Sequence, residues 1–351
     1  MQQLPFIQIA SFYILDFKMK IISYQRYLLI SGFITIITAL ILIIAIWLIS
    51  SLNCGIWGYK ANWFLGYCSN PRYGDYGDYD HGAFFYQLES DAVTNAKRAD
   101  VLIFGNSRAL FAFPSEKSNH YFTNLGLNHF NLAFGHDERD LFPLKLIQKL
   151  ELRPKLVIIN ADPMFSGTMS PVGLNLISSP FDVWIRYRAK WLLNKYHKQI
   201  CITIDWICGS QIGPLGTFFR SKIDGGWSFF EEIPDEAGIV ITKLKKHPIQ
   251  ISQENMVPFI KNAQNFIEAI GAEKKCIILT GIPNSLINSE EIAEQIAKEL
   301  NLLAVIPRID GLLTTDGSHF TTRSADRWRD AFFKELDSKL SFCFDKLSML
   351  N

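Results

Sequence analysis

Residues 101 to 108 read Val-Leu-Ile-Phe-Gly-Asn-Ser-Arg. Four consecutive apolar residues, Val101 to Phe104, have the length and composition of a buried strand. The run breaks at Gly105 into a polar turn, and the residues after Ser107 are suited to a helix. A serine at a strand-to-helix turn stands clear of the sheet edge, with its own N–H and neighbouring amides open to an incoming carbonyl. The plainer reading is that Ser107 only caps the segment that follows. The rest of the chain has to decide between the two.

Working outward, similar units recur. Asn131-Leu-Ala-Phe-Gly135 is a second short strand that stops at a glycine. A helix is expected over Arg139–Leu150, then a strand over Lys155–Asp162. Lys275 to Pro283 repeats the strand pattern. A helix follows from Asn288, with Glu291 placed as a capping-box partner and Ile292, Ile296 and Leu300 on one face. Leu302–Ile306 is expected as a strand and Ala325–Leu340 as a terminal helix. Strands alternating with helices predict an α/β domain with a parallel sheet covered on both faces. Functional residues gather at the carboxyl ends of such strands, where Ser107, Gly135, Asn160 and Asp162 all fall.

Residues 163–274 break the alternation and read as an insertion. Within it Phe181–Lys198 is expected to be helical. Arg186, Arg188, Lys190, Lys195 and Lys198 are interleaved there with Trp184, Tyr187, Trp191 and Tyr196. That pattern suits a membrane surface or an anionic partner, or simply a helix with a solvated basic face and an aromatic core face. Asn255–Ile270 is a further helix, stopped by Gly271.

Upstream, Tyr27 to Ser50 carry no charge. At about 1.5 Å per residue the run is long enough to cross a hydrocarbon layer roughly 30 Å thick. It is longer than the apolar core of a signal peptide and continues uncharged to Tyr59 through Trp47 and Trp57, which suit the membrane interface, so it reads as a retained anchor. Lys18, Lys20 and Arg26 flank its start, and the next positive charge is Lys60. The positive-inside bias therefore places residues 1–26 in the cytoplasm, 27–50 across the cytoplasmic membrane as its single pass, and everything after about residue 50 outside. Met19-Lys20 is also a natural start. Residues 51–98 form a lead-in, with GDYGDYD at Gly74–Asp80 read as a solvated loop and Phe84–Ala99 as a helix into the 99–345 domain. The carboxylates of that loop lack calcium-loop spacing.

Composition narrows the function. A net charge of +1 over 351 residues gives no basic face for nucleic acid. Of six cysteines, none form C-x-x-C, which argues against a structural zinc. Cys54/Cys68 and Cys201/Cys208 are candidate disulfides in an oxidising compartment. No glycine-rich phosphate loop follows any expected strand, and no metal or cofactor is expected.

Near the end stands Thr315-Asp316-Gly-Ser-His319. Asp three residues before His lets the carboxylate take the Nδ1–H while Nε2 points elsewhere, the orientation of a general base. Four blocks in order, Phe104-Gly-Asn-Ser107-Arg, Asn131-Leu-Ala-Phe-Gly135, Asn160-Ala-Asp162 and Asp316-Gly-Ser-His319, resemble those of the SGNH (GDSL-type) hydrolase superfamily. The resemblance implies a flavodoxin-like three-layer α/β/α fold and a Ser107–His319–Asp316 triad. It also implies oxyanion donors from the Ser107 and Gly135 amides and the Asn160 side chain. Asn106 stands where the family has aspartate, and the third block departs from the usual Gly-x-Asn-Asp. Asn106, Arg108 and Asp162 are further candidates for contacting substrate. By the same resemblance the expected function is a membrane-anchored serine esterase or O-acyltransferase acting on acyl esters of a cell-envelope glycan, with a multispanning membrane acyltransferase as partner. The alternative is a catalytically inactive scaffold that serves in an envelope complex.

Overall fold

The structure, a computed structural model, describes residues 24–44, 62–70, 74–135, 138–178, 180–203, 217–228, 242–244 and 252–344. The chain divides into two units, Met1–Asn53 and Cys54–Asn351. In the first, helix α1 (Tyr24–Ile44) is long and apolar enough to cross a membrane. Its serine and threonine hydroxyls are returned to its own backbone, Ser31 to the Leu28 carbonyl, Thr35 to Ser31 and Thr38 to Ile34. This back-bonding removes the cost of a free hydroxyl in apolar surroundings. The helix starts three residues before the expected span, whose last part, residues 45–50, lies outside the described residues.

The second unit contains β3 (Val101–Phe104), β4 (His129–Asn131), β5 (Leu156–Asn160), β9 (Ile277–Thr280) and β10 (Leu303–Ala304) in one five-stranded sheet. The strands lie in the order β10-β9-β5-β3-β4, all parallel. Alternation sorts the side chains between its faces. Leu102, Phe104, Val157, Ile159, Ile277 and Leu279 meet one core, and Val101, Ile103, Leu156, Ile158 and Ile278 the other. Helices α3 (Ser90–Arg98), α6 (Leu141–Leu150), α9 (Gln253–Ile270) and α10 (Ser289–Leu300) cover the first face. Helices α4 (Ser107–Ala112), α5 (Ser115–Asn124) and α11 (Thr322–Cys343) cover the second. The three inner strands are buried on both sides, as their unbroken apolar runs require.

The expected lead-in and insertion have more structure than the sequence reading gave them. Strands β1 (Trp63–Asn70), β2 (Gly74–Asp78), β6 (Thr217–Ser221) and β7 (Trp227–Ser228) make an antiparallel sheet in the order β2-β1-β6-β7. Gly74–Asp78 is thus a strand rather than a solvated loop, and Asp80 is fully buried. The single helix expected over Phe84–Ala99 is two helices, α2 (Tyr79–Phe85) and α3. Gln87 adopts φ +54°, and Leu88 N–H returns to the Ala83 carbonyl at 2.8 Å, a C-terminal cap that ends α2. From the insertion α7 (Pro171–Ser178), α8 (Pro180–Thr203) and β8 (Thr242–Lys243) are described, the last paired with β11 (Leu313–Thr314). On α8, Tyr187 packs against Tyr79 and Tyr86, while Phe181 and Tyr196 are exposed.

Cys276 and Cys343 form a disulfide that ties the entry to β9 to the end of α11. The expected pairs involve Cys54 and Cys208, which lie outside the described residues.

Candidate active site

In the parallel sheet the chain leaves β3 to one side for β4 and to the other for β5. That reversal opens a crevice at the carboxyl ends of β3 and β5. Ser107 stands at the end of β3, and Asn160 closes β5. The turn between β3 and α4 depends on Gly105, whose φ is +154°. A Cβ there would come within 2.8 Å of the Ala109 Cβ and 3.0 Å of the Asn160 Cβ. Asn106 caps α4 by accepting the Arg108 N–H at 3.0 Å. The Ser107 amide, at the first helical position, has no partner inside the helix.

The loop before α11 brings the base. Asp316 Oδ1 accepts the N–H groups of Ser318 and His319, both at 2.8 Å, which folds the loop around its own carboxylate. Gly317, with φ +81°, makes the turn, and its carbonyl accepts the Ser285 N–H from the loop after β9. Nδ1–H of His319 donates to Asp316 Oδ2 at 2.6 Å. Nε2 then carries the lone pair that accepts the Ser107 hydroxyl at 2.7 Å. The Phe111 ring packs on the imidazole at 4.5 Å between centroids. Burial raises the affinity of Asp316 for a proton. The hydrogen bond and charge of His319, with the two backbone N–H groups, outweigh this and hold its carboxyl well below the usual range. Three residues from two turns more than 200 positions apart thus form one hydrogen-bonded chain, with side-chain exposures of 22% for His319 and 51% for Asp316.

The other expected site residues are turned inward. Arg108 is buried, and it joins three loops: its Nε donates to Ser318 Oγ at 2.8 Å, and its guanidinium is 2.8 Å from Asp162 Oδ2. It braces the serine turn against the histidine loop and is not extended toward an anionic substrate. Asp162 Oδ2 also accepts from Asn284 Nδ2 at 2.8 Å, so the carboxylate is held by Arg108 and Asn284 together. Asn106 Nδ2 donates to the Asp162 carbonyl at 2.7 Å. Asn160 is fully buried. Its Oδ1 accepts the Ile282 N–H at 3.1 Å, and its Nδ2 is 3.5 Å from Asn106 Oδ1. Phe134 N–H donates to the Gly105 carbonyl at 3.1 Å, which lays the segment leading to Gly135 along the serine turn.

Behind that segment lies a charged cluster that the sequence reading missed. Arg220 on β6 donates to Asp80 Oδ2 (2.6 Å), to the Asn131 carbonyl (2.5 Å) and to the Gly225 carbonyl (2.9 Å). Its guanidinium lies over the Phe84 and Phe134 rings. His81 Nδ1 is 2.9 Å from Asp80, and Nε2 is 3.1 Å from Glu138, whose carboxylate also takes the Ser170 hydroxyl and N–H. All four side chains are fully buried. Burial works against ionisation of Asp80 and Glu138, but His81 in both cases, with Arg220 for the first and Ser170 for the second, holds their affinity for protons below the ordinary level. The cluster clamps both ends of the Asn131–Glu138 segment, within which Gly135 falls. The Asp80-His81 pair was the only trace in the sequence, embedded in residues that resemble a polar loop.

Compared with protein-family models, curated proteins and solved structures, the chain matches none.

Proposed function

We propose that the protein is a serine esterase or O-acyltransferase of the SGNH (GDSL-type) kind, anchored in the cytoplasmic membrane by α1 with its Cys54–Asn351 unit outside the cytoplasm. The observation that carries the reading is the Asp316–His319–Ser107 hydrogen-bonded chain, at 2.6 and 2.7 Å, at the crevice of the parallel sheet. Numbered in chain order, the parallel strands run 2-1-3-4-5, the order of the flavodoxin-like fold. The Cys276–Cys343 disulfide favours an oxidising compartment.

In the proposed reaction, Ser107 Oγ attacks an ester carbonyl while His319 Nε2 takes its proton, and ionised Asp316 stabilises the imidazolium. The amides of Ser107 and Gly135 receive the developing oxyanion. Collapse expels the alcohol, which takes the proton from His319 and leaves an acyl-Ser107. Water, or a sugar hydroxyl deprotonated by His319, then releases the acyl group. A cell-envelope glycan is the proposed substrate and acceptor, and a multispanning membrane acyltransferase the proposed partner. A scaffold without activity has one observation in its favour: Asn160 is fully buried beneath the turn, with its Nδ2 3.5 Å from Asn106 Oδ1.

The test is release of acetate from an aryl acetate and from O-acetylated glycans, with free glycan added as acceptor. Ser107→Ala should abolish turnover, and Asp316→Asn should lower it by about four orders of magnitude. Unchanged turnover in either variant would remove the triad. A reporter fused after Asn351 should be active outside the cytoplasm, and activity inside would overturn the topology.

A further inference from the structure

Helix α8 carries two apolar stripes. Val183, Tyr187 and Trp191 recur every four residues. Val183 is buried in the core on the first face of the parallel sheet, and the two rings pack against that core. Phe181, Trp184, Ile185, Leu192 and Tyr196 make the second stripe. Spacings of three, four and seven residues set them along one side of the helix, turned to solvent, with exposures between 38% and 69%. At about 1.5 Å per residue the stripe is about 22 Å long. Single exposed apolar side chains are ordinary, but five aligned on one helix face mark a surface that something else covers.

Charge says what covers it. Between Phe181 and Tyr196 the helix has Arg186, Arg188, Lys190 and Lys195 against Asp182 alone. Arg188 and Lys195 interleave with the second stripe, are exposed, and lie over the Trp191 ring at 4.3 and 4.9 Å. A protein partner closed over the stripe buries both cations, and charged groups, lysine above all, are depleted from interface cores. A bilayer surface leaves them in contact with charge. Apolar and aromatic side chains enter the boundary between headgroups and acyl chains, the depth that Trp and Tyr favour. The long stems of Arg and Lys meanwhile carry their charge out to the lipid phosphates.

We infer that α8 lies along the surface of an anionic phospholipid bilayer through Phe181, Trp184, Ile185, Leu192 and Tyr196, with Arg188 and Lys195 on lipid phosphates. The inference rests on the proposed anchoring for the presence of that bilayer. It adds a second attachment, which turns one face of the Cys54–Asn351 unit to the membrane.

The test uses the full chain in vesicles of phosphatidylcholine with phosphatidylglycerol. The photo-crosslinking residue p-benzoylphenylalanine stands in turn in place of Phe181, Tyr196 and Phe342. All three side chains are more than half exposed, so the replacement spares the core. Phe342 is the control, because α11 covers the opposite face of the parallel sheet. Intact mass after irradiation reads the adduct. Phospholipid adducts are expected at 181 and 196, in clear excess over 342. Arg188→Gln with Lys195→Gln should lower the bound-to-free ratio, read from the adduct yield, about fivefold for each cation removed on these vesicles, and change it little on phosphatidylcholine alone. Adducts to a second protein chain, phospholipid adducts no more frequent at 181 and 196 than at 342, or an unchanged yield without the two cations would overturn the inference. Extraction with alkaline carbonate separates it from the anchor. A chain that stays with the vesicles but gives no phospholipid adduct at 181 or 196 sinks the α8 contact alone. An extracted chain that did give those adducts sinks the anchor alone.

Discussion

Replacing Arg220 by methionine probes how the oxyanion segment is held. Methionine keeps much of the apolar stem beneath Phe84 and Phe134 but removes the charge and three hydrogen bonds. Asp80 is then left as a fully buried carboxylate with His81 as its remaining side-chain partner. Breaking a buried pair from one side costs about 3–5 kcal/mol, a large part of a total stability of ~5–15 kcal/mol. In a unit of this size that corresponds to a fall in Tm of about 10 °C. Adding Asp80→Asn removes the stranded charge and leaves mainly the carbonyls of Asn131 and Gly225 to be satisfied, at about 1–3 kcal/mol. The double variant should therefore be more stable than Arg220→Met alone. Thermal unfolding of the full chain in detergent, followed by near-ultraviolet circular dichroism, measures both. A double variant as unstable as the single one, or less stable, would refute the reasoning.

Gly105→Ala should abolish labelling of Ser107 by a fluorophosphonate while most secondary structure survives, because the new Cβ meets Ala109 and Asn160 at 2.8 and 3.0 Å; labelling at the wild-type rate would contradict it. Burial pushes the His129 imidazole down to about 4, with the Asp224 charge acting the other way. The unfolded chain takes up this proton near pH 6.5 and the native one only near pH 4, so stability should fall by about 3 kcal/mol as pH drops across that window. His129→Gln should flatten the fall, and an unchanged pH profile would exclude His129 as its source. Replacing Cys276 and Cys343 together by serine opens a 67-residue loop. The chain-entropy model puts the loss at about 4 kcal/mol, and an unchanged denaturation midpoint would contradict it.

The sequence carried the parallel sheet because its strands are unbroken apolar runs ended by Gly105, Asn160 and Gly281. It carried Ser107, Asp316 and His319 because they stand in two short local patterns, a serine after a strand-ending glycine and an Asp-x-x-His. It did not carry the helix stop at Gln87, where a left-handed residue that is neither glycine nor asparagine gives no local warning. Glu151 ends α6 in the same conformation. Nor did it carry the Arg220 cluster. Its members come from α2, β6 and the loop before α6, and they meet only when β1 and β6 pair across about 150 residues of chain. The inward role of Arg108 was equally hidden, since its partners Asp162 and Ser318 are distant in sequence. Long-range pairing decides these features, and local patterns cannot report it.

The most direct measurement is the intact mass of the full chain in detergent after treatment with a fluorophosphonate, beside its Ser107→Ala form. The account predicts a single adduct on the wild-type protein, located at Ser107 and missing from the variant. A folded wild-type protein that takes no adduct, or a variant labelled as fully as the wild type, would contradict an activated serine at this site.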